Sequence, residues 1–555
     1  MKPQGQIPRY HLLAEPDLVL LEREEMPLFT PGTYTLRDIQ VRISLEEALL
    51  RIFVTAESSP VTKIRLRWLF PEGLHGTVLG DAWERSYGDL CWQTMLPYKT
   101  HPWYFLLKNE EGTYGYGVKV RPKALCSWQI DPSGITLWLD LRSGGDGVLL
   151  SGRTLCAAEV VSSFSPADSF TATCQFLETL CTDPLLPPFP VYGSNNWYYA
   201  YGKSSQEEIL ADADFLSRLT QGCPARPTLV IDDGWQERRL LPDGSLRSDY
   251  NGGPWVPTSR FGDMKSLAEA ISEKGIYPGI WVRLLQDERR EIPQSFRLPH
   301  TGALDPSCPE VLNLIQKDIR TLGEWGYKVL KHDFSTFDIF GRWGFSMDTE
   351  MAKAGWHFKD QSRTSAEIIL ALYTAIPEAA EPYGMLILGC NTIGHLGAGL
   401  MHLNRTGDDT SGLLWERSLR MGVNTLAFRL PQHGRFYAID ADCLGITSIL
   451  PWEHNRKWGK LLASSGTPLF FSCKPDTLEP GQEAELRSFL LENAASQLSC
   501  QTVQPLDWEE TPLPMHWKAG DEALTFPWYE KAGLTAGSVT PAWDDLFPQE
   551  AQLKL

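Results

Sequence analysis

The sequence predicts a multidomain protein with an N-terminal β-sandwich, a central (β/α)8 barrel and a small C-terminal β element. Three observations predict this. The chain has 555 residues, more than one hydrophobic core usually serves. Short alternating stretches fill roughly its first third, and from Val191 apolar runs alternate with helical patterns instead. A segment with four prolines, TDPLLPPFP (182–190), stiffens the junction between the two textures. The expected domains are 1–185, 186–485 and 486–555.

The sandwich is read from VRISL, LRIFVTA, TKIRLRWLF, YGYGVKV and ITLWLDL, which recur between Gly, Pro and Asp punctuation. The barrel strands are expected in VYGSNNW (191–197), TLVIDDGW (228–235), YPGIWVRLL (277–285) and YKVLKHDFS (327–335). MLILGCN (385–391), MHLNRTGDD (401–409), FYAIDADCL (436–444) and PLFFSC (468–473) complete the set. Helical patterns such as 206–219 and 264–275 lie between them. Eight strands with intervening helices suit a closed barrel, although an open doubly wound sheet shows the same periodicity. The stretch after about 490 is rich in Pro and Trp and reads as a β element packed on the barrel.

A formal net charge of −18 and no basic run argue against nucleic acid as a partner. No 18-residue apolar run predicts a membrane span. The start of the chain does not read as a signal peptide, and 11 scattered cysteines without a CxxC pair suit reduced thiols in the cytoplasm. A glycine fingerprint for a dinucleotide is missing, because Gly394, Gly397 and Gly399 have the wrong spacing. His332, His395, His402 and His433 form no HxxxH pair. Neither a cofactor nor a metal is expected. The expected ligand is an uncharged small-molecule carbohydrate, for which abundant Trp, Tyr and Phe supply flat apolar faces. A homo-oligomer stays open.

In such a barrel the active site lies at the carboxyl ends of the strands. The predicted strand ends carry Asn195, Asn196 and Trp197; Asp232, Asp233 and Trp235; Lys331 and Asp333; Cys390 and Asn391; Arg405, Asp408 and Asp409; and Asp440 with Asp442. One acid there means little, since Asp caps helices, and Asp408 or Asp409 could do only that. Carboxylates at four strand ends call for a use, and two that flank a glycosidic bond are what glycoside hydrolysis needs. Lys331 is expected to keep Asp333 ionised and nucleophilic. Asp408 is expected to be protonated as the acid.

The strings SNNWYYAYGKSSQEEIL, IDDGWQ, GIWVR, LKHDFS, RTGDDTS, IDADCL and TPLFFS resemble, in order, the active-site strings of glycoside hydrolase clan D. That clan comprises families 27 and 36, the α-galactosidases and α-N-acetylgalactosaminidases, and the resemblance covers about 191–475. It implies a retaining exo-α-glycosidase acting on terminal α-galactosides. By resemblance, Asp333 is the nucleophile, Asp408 the acid/base, and Asp409 the alternative acid. Asp232 and Asp233 would hold the galactose 4- and 6-hydroxyls, and Lys331 would bond near the 3- and 4-positions. Trp197, Trp281, Cys390, Asn391 and Arg405 would complete the pocket.

Two departures stand out. On strand five the text is CNTIGHLGAG, where compact Asn391 and Gly394 would leave room for a 2-acetamido group. After the WV string the acidic residue is replaced by Arg283-Leu284-Leu285. The alternatives are therefore an α-N-acetylgalactosaminidase, a raffinose-synthase-like galactosyl transferase and an inactive carbohydrate-binding protein. GDAWERSYGDLCW (80–92) is either a loop that reaches the pocket or a packed interdomain contact.

Overall fold

A computed structural model describes residues 14–529 except 47–48, 224, 238–255, 288 and 290. The first part of the chain forms two antiparallel sheets of six and nine strands. Leu49–Ala56 and Lys63–Leu69 bury every second residue, the period that a half-buried strand imposes. The inner faces meet through rings such as Phe105 and Trp128, 5.8 Å apart. This region also holds a helix, Ser169–Leu180, capped by Asp168, which accepts a hydrogen bond from the Thr171 N–H. An all-β reading of 1–185 misses it. Its Phe176 packs where Gly115 leaves no room for a Cβ, a contact that no local pattern announces.

Nine parallel strands form the central sheet and are numbered here in chain order. They are β1 (Tyr192–Asn195), β2 (Thr228–Ile231), β3 (Tyr277–Val282), β4 (Val329–His332) and β5 (Leu386–Gly389). β6 (Leu403–Arg405), β7 (Ala438–Asp440), β8 (Cys443–Ile446) and β9 (Leu469–Cys473) follow. Each of the eight expected segments contains a strand; the seventh contains two. The order is β7-β6-β5-β4-β3-β2-β1-β9-β8. The two edges, β7 and β8, are joined in the chain by Ala441 and Asp442 alone, so the sheet curls back on itself like a barrel. Asp442 makes the break with a positive φ of 70°. The first pair is tight: a Cβ on Gly193 would lie 1.9 Å from the Thr228 carbonyl oxygen.

Helices lie between the strands, among them Gln206–Leu219, Pro309–Glu324, Ser365–Ala380 and Trp452–Ser465. The first begins at a capping box, in which Ser205 and Glu208 satisfy each other's backbone N–H groups. After β9 runs Pro480–Leu498, which packs on Trp452–Ser465. Asn493 Nδ2 donates to the carbonyls of Leu462 and Thr467. The domain boundary expected at 485/486 falls inside this helix and is corrected: the helix belongs with the barrel layer, because its buried face is the barrel's. A three-stranded antiparallel sheet then spans Val503–Pro505, His516–Ala519 and Glu522–Thr525. Trp508 beside it meets Trp92 at 5.6 Å and Phe428 at 5.7 Å, touching both larger parts. Residues 530–555 of the expected C-terminal domain lie outside the described residues. Among the described residues, no helix is long and apolar enough to cross a membrane. All 11 cysteines are unpaired.

Candidate active site

Parallel register brings the polar strand ends to one level. Asn195 lies beside Val230, Ile231 beside Ile280, Trp281 beside Lys331, His332 beside Gly389, and Arg405 beside Asp440. The residues that follow each strand therefore surround one space.

Asp333 follows β4 directly. Its Oδ2 accepts a hydrogen bond from Trp281 Nε1 at 3.0 Å. Its Oδ1 accepts from the N–H groups of Phe334 at 2.8 Å and Asn391 at 3.1 Å. Three N–H donors fix the orientation of this carboxylate. Phe334, in the left-handed region at φ 66°, turns its N–H back to do so. Its ring lies under the Arg283 guanidinium, 4.3 Å away, and Arg283 is paired with Asp338 at 2.6 Å. Arg283, where an acid was expected, thus anchors the turn behind Asp333.

Lys331 was expected to be the counter-charge of Asp333. Its Nζ pairs with Asp232 Oδ2 at 2.6 Å, and the charge of Asp333 acts on it more weakly. Inward side chains of alternate strands share a layer in a barrel, so an acid after β2 reaches Lys331 of β4 across β3. Burial opposes the ammonium charge, and Asp232 beside it more than compensates, holding the Lys331 pKa well above its ordinary value. Asp232 also accepts from Asn195 Nδ2 at 2.6 Å and from the Asp233 N–H at 2.8 Å. Asp233, next along the chain, is 8% exposed.

Arg405, 1% exposed, is the hub of the opposite wall. Its Nη2 contacts Asp442 at 2.8 Å and Asp409 at 3.2 Å, and its Nη1 lies 3.6 Å from Cys390 Sγ. Burial pushes the Cys390 thiol well up, so it is a neutral wall of the pocket. Burial likewise raises Asp440 to about 6 despite Arg405. Trp197 Nε1 donates to Asp409 Oδ2 at 3.2 Å. The Asp409 side chain is 27% exposed, the most open carboxylate of this wall. Burial favours its neutral form, but Arg405, then Arg85, Lys331 and Arg417 hold it below the usual carboxylate range.

Asp408 differs from the expectation. Its side chain is 2% exposed, with Arg85 Nη2 2.6 Å from Oδ1 and Arg417 Nη2 3.0 Å from Oδ2. The carboxylate is buried between two guanidinia, with Oδ2 accepting from Arg417 and Oδ1 in an ion pair with Arg85. Of the pair, Asp409 is the more open, its side chain 27% exposed against 2% for Asp408.

Arg85 comes from the sandwich, and with it a set of residues that the strand-end reading missed. Segment 83–87 inserts between the ends of β4, β5 and β6. Ser86 N–H donates to the Thr406 carbonyl at 2.9 Å, and Asp408 N–H donates to the Ser86 carbonyl at 3.0 Å. Glu84, 1% exposed, accepts from the Gly344 N–H at 2.7 Å, from Tyr87 Oη at 2.5 Å and from Asn391 Nδ2. Burial pushes its carboxyl up to about 7, although Arg85 and these donors pull it back. The only sequence signal was the string Trp83-Glu84-Arg85-Ser86-Tyr87, in which charged residues sit between aromatics.

Comparison with solved structures gives the fold its relatives. An α-galactosidase from Thermus thermophilus, in complex with p-nitrophenyl α-D-galactopyranoside, matches with TM-score 0.58 and 18% identity over 88% of this chain and 97% of that one. The family 36 α-galactosidase AgaB from Geobacillus stearothermophilus matches with TM-score 0.55 and 15% identity over 84% and 67%. A family 31 sulfoquinovosidase from E. rectale, in complex with an aza-sugar inhibitor, matches with TM-score 0.55 and 14% identity over 92% and 84%. The chain has the fold of the family 36 α-galactosidases. No family model and no curated protein matches the sequence.

Within this family 36 fold, the room expected beside Asn391 and Gly394 is absent, and that expectation is corrected. A Cβ on Gly394 would lie 2.4 Å from Tyr437 Oη and 2.8 Å from Asn404 Nδ2, so this glycine faces packed side chains. Asn391 is fully buried, its Oδ1 accepting from the Phe337 N–H at 2.9 Å and its Nδ2 donating to Glu84. Its side chain is spent on other residues and does not line an open pocket.

Proposed function

We propose that the chain is a retaining exo-α-glycosidase that releases terminal galactose from α-galactosides. The scaffold is a (β/α)8 barrel, with β7 and β8 counted as one interrupted strand, behind a sandwich at 1–185. One observation carries the reading: Asp333 at the end of β4 is held by an indole and two backbone N–H donors, while Asp409, after β6, is the more open acid of its pair. Asp333 attacks the anomeric carbon and forms the glycosyl-enzyme, which water then hydrolyses. Asp409, in place of Asp408, protonates the leaving oxygen. It must gain a proton first. A sugar that displaces water from around Asp409 favours its neutral form, whereas Asp408 is already out of water and paired with Arg85 and Arg417.

Trp197, Trp281, Asp232, Asp233, Lys331 and Arg405 are proposed to form the sugar subsite, with Asp232 already oriented by Asn195 and Lys331. The galactoside named for the Thermus structure supports this choice of sugar. The filled space beside Gly394 and Asn391 favours galactose over its 2-acetamido form. The enzyme is proposed to act in the cytoplasm, where 11 unpaired thiols stay reduced. A panel of 4-nitrophenyl α- and β-glycosides of Gal, GalNAc, galactosamine, Glc and Fuc tests the reading. The α-galactoside should be hydrolysed best, with α-galactose as the first product by NMR. A preference for GalNAc above about tenfold would overturn the choice of sugar, and failure on both would overturn the galactoside reading.

A further inference from the structure

We propose that Glu84, Arg85 and Ser86 of the sandwich are positioning residues that set the spacing between Asp333 and the carboxylates of β6, with the Glu84–Asn391 bond as the decisive link. The inference rests on the glycosidase reading above and goes beyond it, since none of these three side chains need touch the sugar.

The connection runs through named bonds. Glu84 Oε1 accepts from the Gly344 N–H at 2.7 Å and from Tyr87 Oη at 2.5 Å, which fixes its carboxylate plane. Oε2 then accepts from Asn391 Nδ2. The amide cannot be turned round, because Asn391 Oδ1 is the acceptor for the Phe337 N–H at 2.9 Å. The same residue donates its backbone N–H to Asp333 Oδ1 at 3.1 Å. Glu84 thus reaches the nucleophile through one residue. Two positions further along, Ser86 forms an isolated parallel bridge to Gly407, and Arg85 Nη2 lies 2.6 Å from Asp408, the neighbour of Asp409. That Arg85 contact is an ion pair with poor hydrogen-bond direction, its guanidinium lying 5.2 Å over Trp343.

One short turn is therefore bonded on one side to the nucleophile's support and on the other to the loop of the acid. Double displacement needs the two carboxyls about 5–5.5 Å apart. Gly344 shows how closely the turn is fitted, since a Cβ there would lie 2.7 Å from Glu84 Cγ. A reacting group displaced by about 1 Å costs on the order of 100-fold in rate, so a link of this kind is read in kcat.

The test exchanges the polarity of the link. Glu84→Gln sets an amide donor against the Asn391 amide donor, and Asn391→Asp sets a carboxylate against the Glu84 carboxylate. The double variant restores one donor facing one acceptor with the charge unchanged. On the best glycoside of the panel, each single variant should lose about 10- to 100-fold in kcat with KM within about threefold, and the double variant should recover at least about tenfold of it. Thermal melting alongside separates a packing role, which would move the melting point and leave the polarity exchange without benefit. Should Glu84→Gln fail to fold, the comparison of Asn391→Asp with the double variant reads the same link. Wild-type kcat in both single variants, or a double variant no better than either while all melt like wild type, would overturn the inference. An active wild type with an inactive Asp333→Ala and an unaffected Glu84→Gln would overturn it alone. A wild type inactive on every glycoside would overturn the glycosidase reading and the inference with it.

Discussion

The ends of β4 and β6 carry the same functional group in opposite surroundings. At β4 the carboxylate of Asp333 accepts from an indole and two backbone amides. At β6 two adjacent carboxylates meet three guanidinia, those of Arg85, Arg405 and Arg417. Neutral donors hold a carboxylate in place and leave its charge able to attack. Guanidinia neutralise it and occupy its oxygens. Acids that the sequence presents alike are thus held by neutral donors at one strand end and by guanidinia at the other.

The largest expected effect breaks the β4 side. Asp333→Ala should lose turnover by at least about four orders of magnitude, with azide restoring part of it as the inverted product. Wild-type-like rates in that variant would remove Asp333 from the mechanism.

The β6 side predicts a split between neighbours. Asp409→Asn should cost about 100- to 10,000-fold on a galactoside with a poor leaving group. The cost should be far smaller on an activated aryl galactoside, whose leaving group departs unprotonated. Asp408→Asn should instead strip Arg85 and Arg417 of their buried partner and cost about 3–5 kcal/mol of stability in denaturant unfolding. If Asp408→Asn shows the leaving-group dependence and Asp409→Asn the stability loss, the assignment is reversed.

Asp233→Asn sharpens the comparison with Asp232, which is tied to Lys331 and Asn195. Loss of one charge-assisted hydrogen bond to the sugar, worth about 1.5–3 kcal/mol, should lower kcat/KM about 10- to 100-fold. A much larger fall in melting temperature than in kcat/KM would show that Asp233 serves the fold.

The smallest effect concerns pH. Burial raises Glu84 to about 7 from 4.5. Between those values the folded protein binds a proton that the unfolded chain releases, so the group's contribution to stability falls as pH rises through that window. Glu84→Gln should remove that share, at most about 1.4 kcal/mol per pH unit, and flatten the stability profile between pH 4.5 and 7. Asp212 and Asp440, raised to about 7 and about 6, keep some slope in the variant. An unchanged slope would mean that Glu84 titrates as an ordinary carboxyl.

Much of the architecture was legible. The helix expected at 206–219 is Gln206–Leu219, because apolar spacing and a Ser205–Glu208 capping box are local signals. Each strand expected from an apolar run is present, since burial on both faces leaves a continuous apolar string. The helix Ser169–Leu180 was not legible, being rich in Ser and Thr and packed on Gly115 and Gly117 of one distant strand. Nor was the end of the barrel, because Pro480–Leu498 is only weakly patterned and is fixed by its bonds to Leu462 and Thr467.

The site divides in the same way. The sequence by itself determined which residues stand at the strand ends, because a residue directly after an apolar run must emerge where the strand does. Asp232, Asp233, Lys331, Asp333, Arg405 and Asp409 are at that level for this reason. Only the tertiary structure decided their partners. Lys331 pairs across to Asp232, Asp408 is held by one arginine nine residues further along and one from the sandwich, and Asn391 turns to Glu84, 307 residues away. Hydrogen bonds and ion pairs act over a few ångströms of space and carry no trace of separation along the chain, so the partner of a buried charge is known only once the chain has folded.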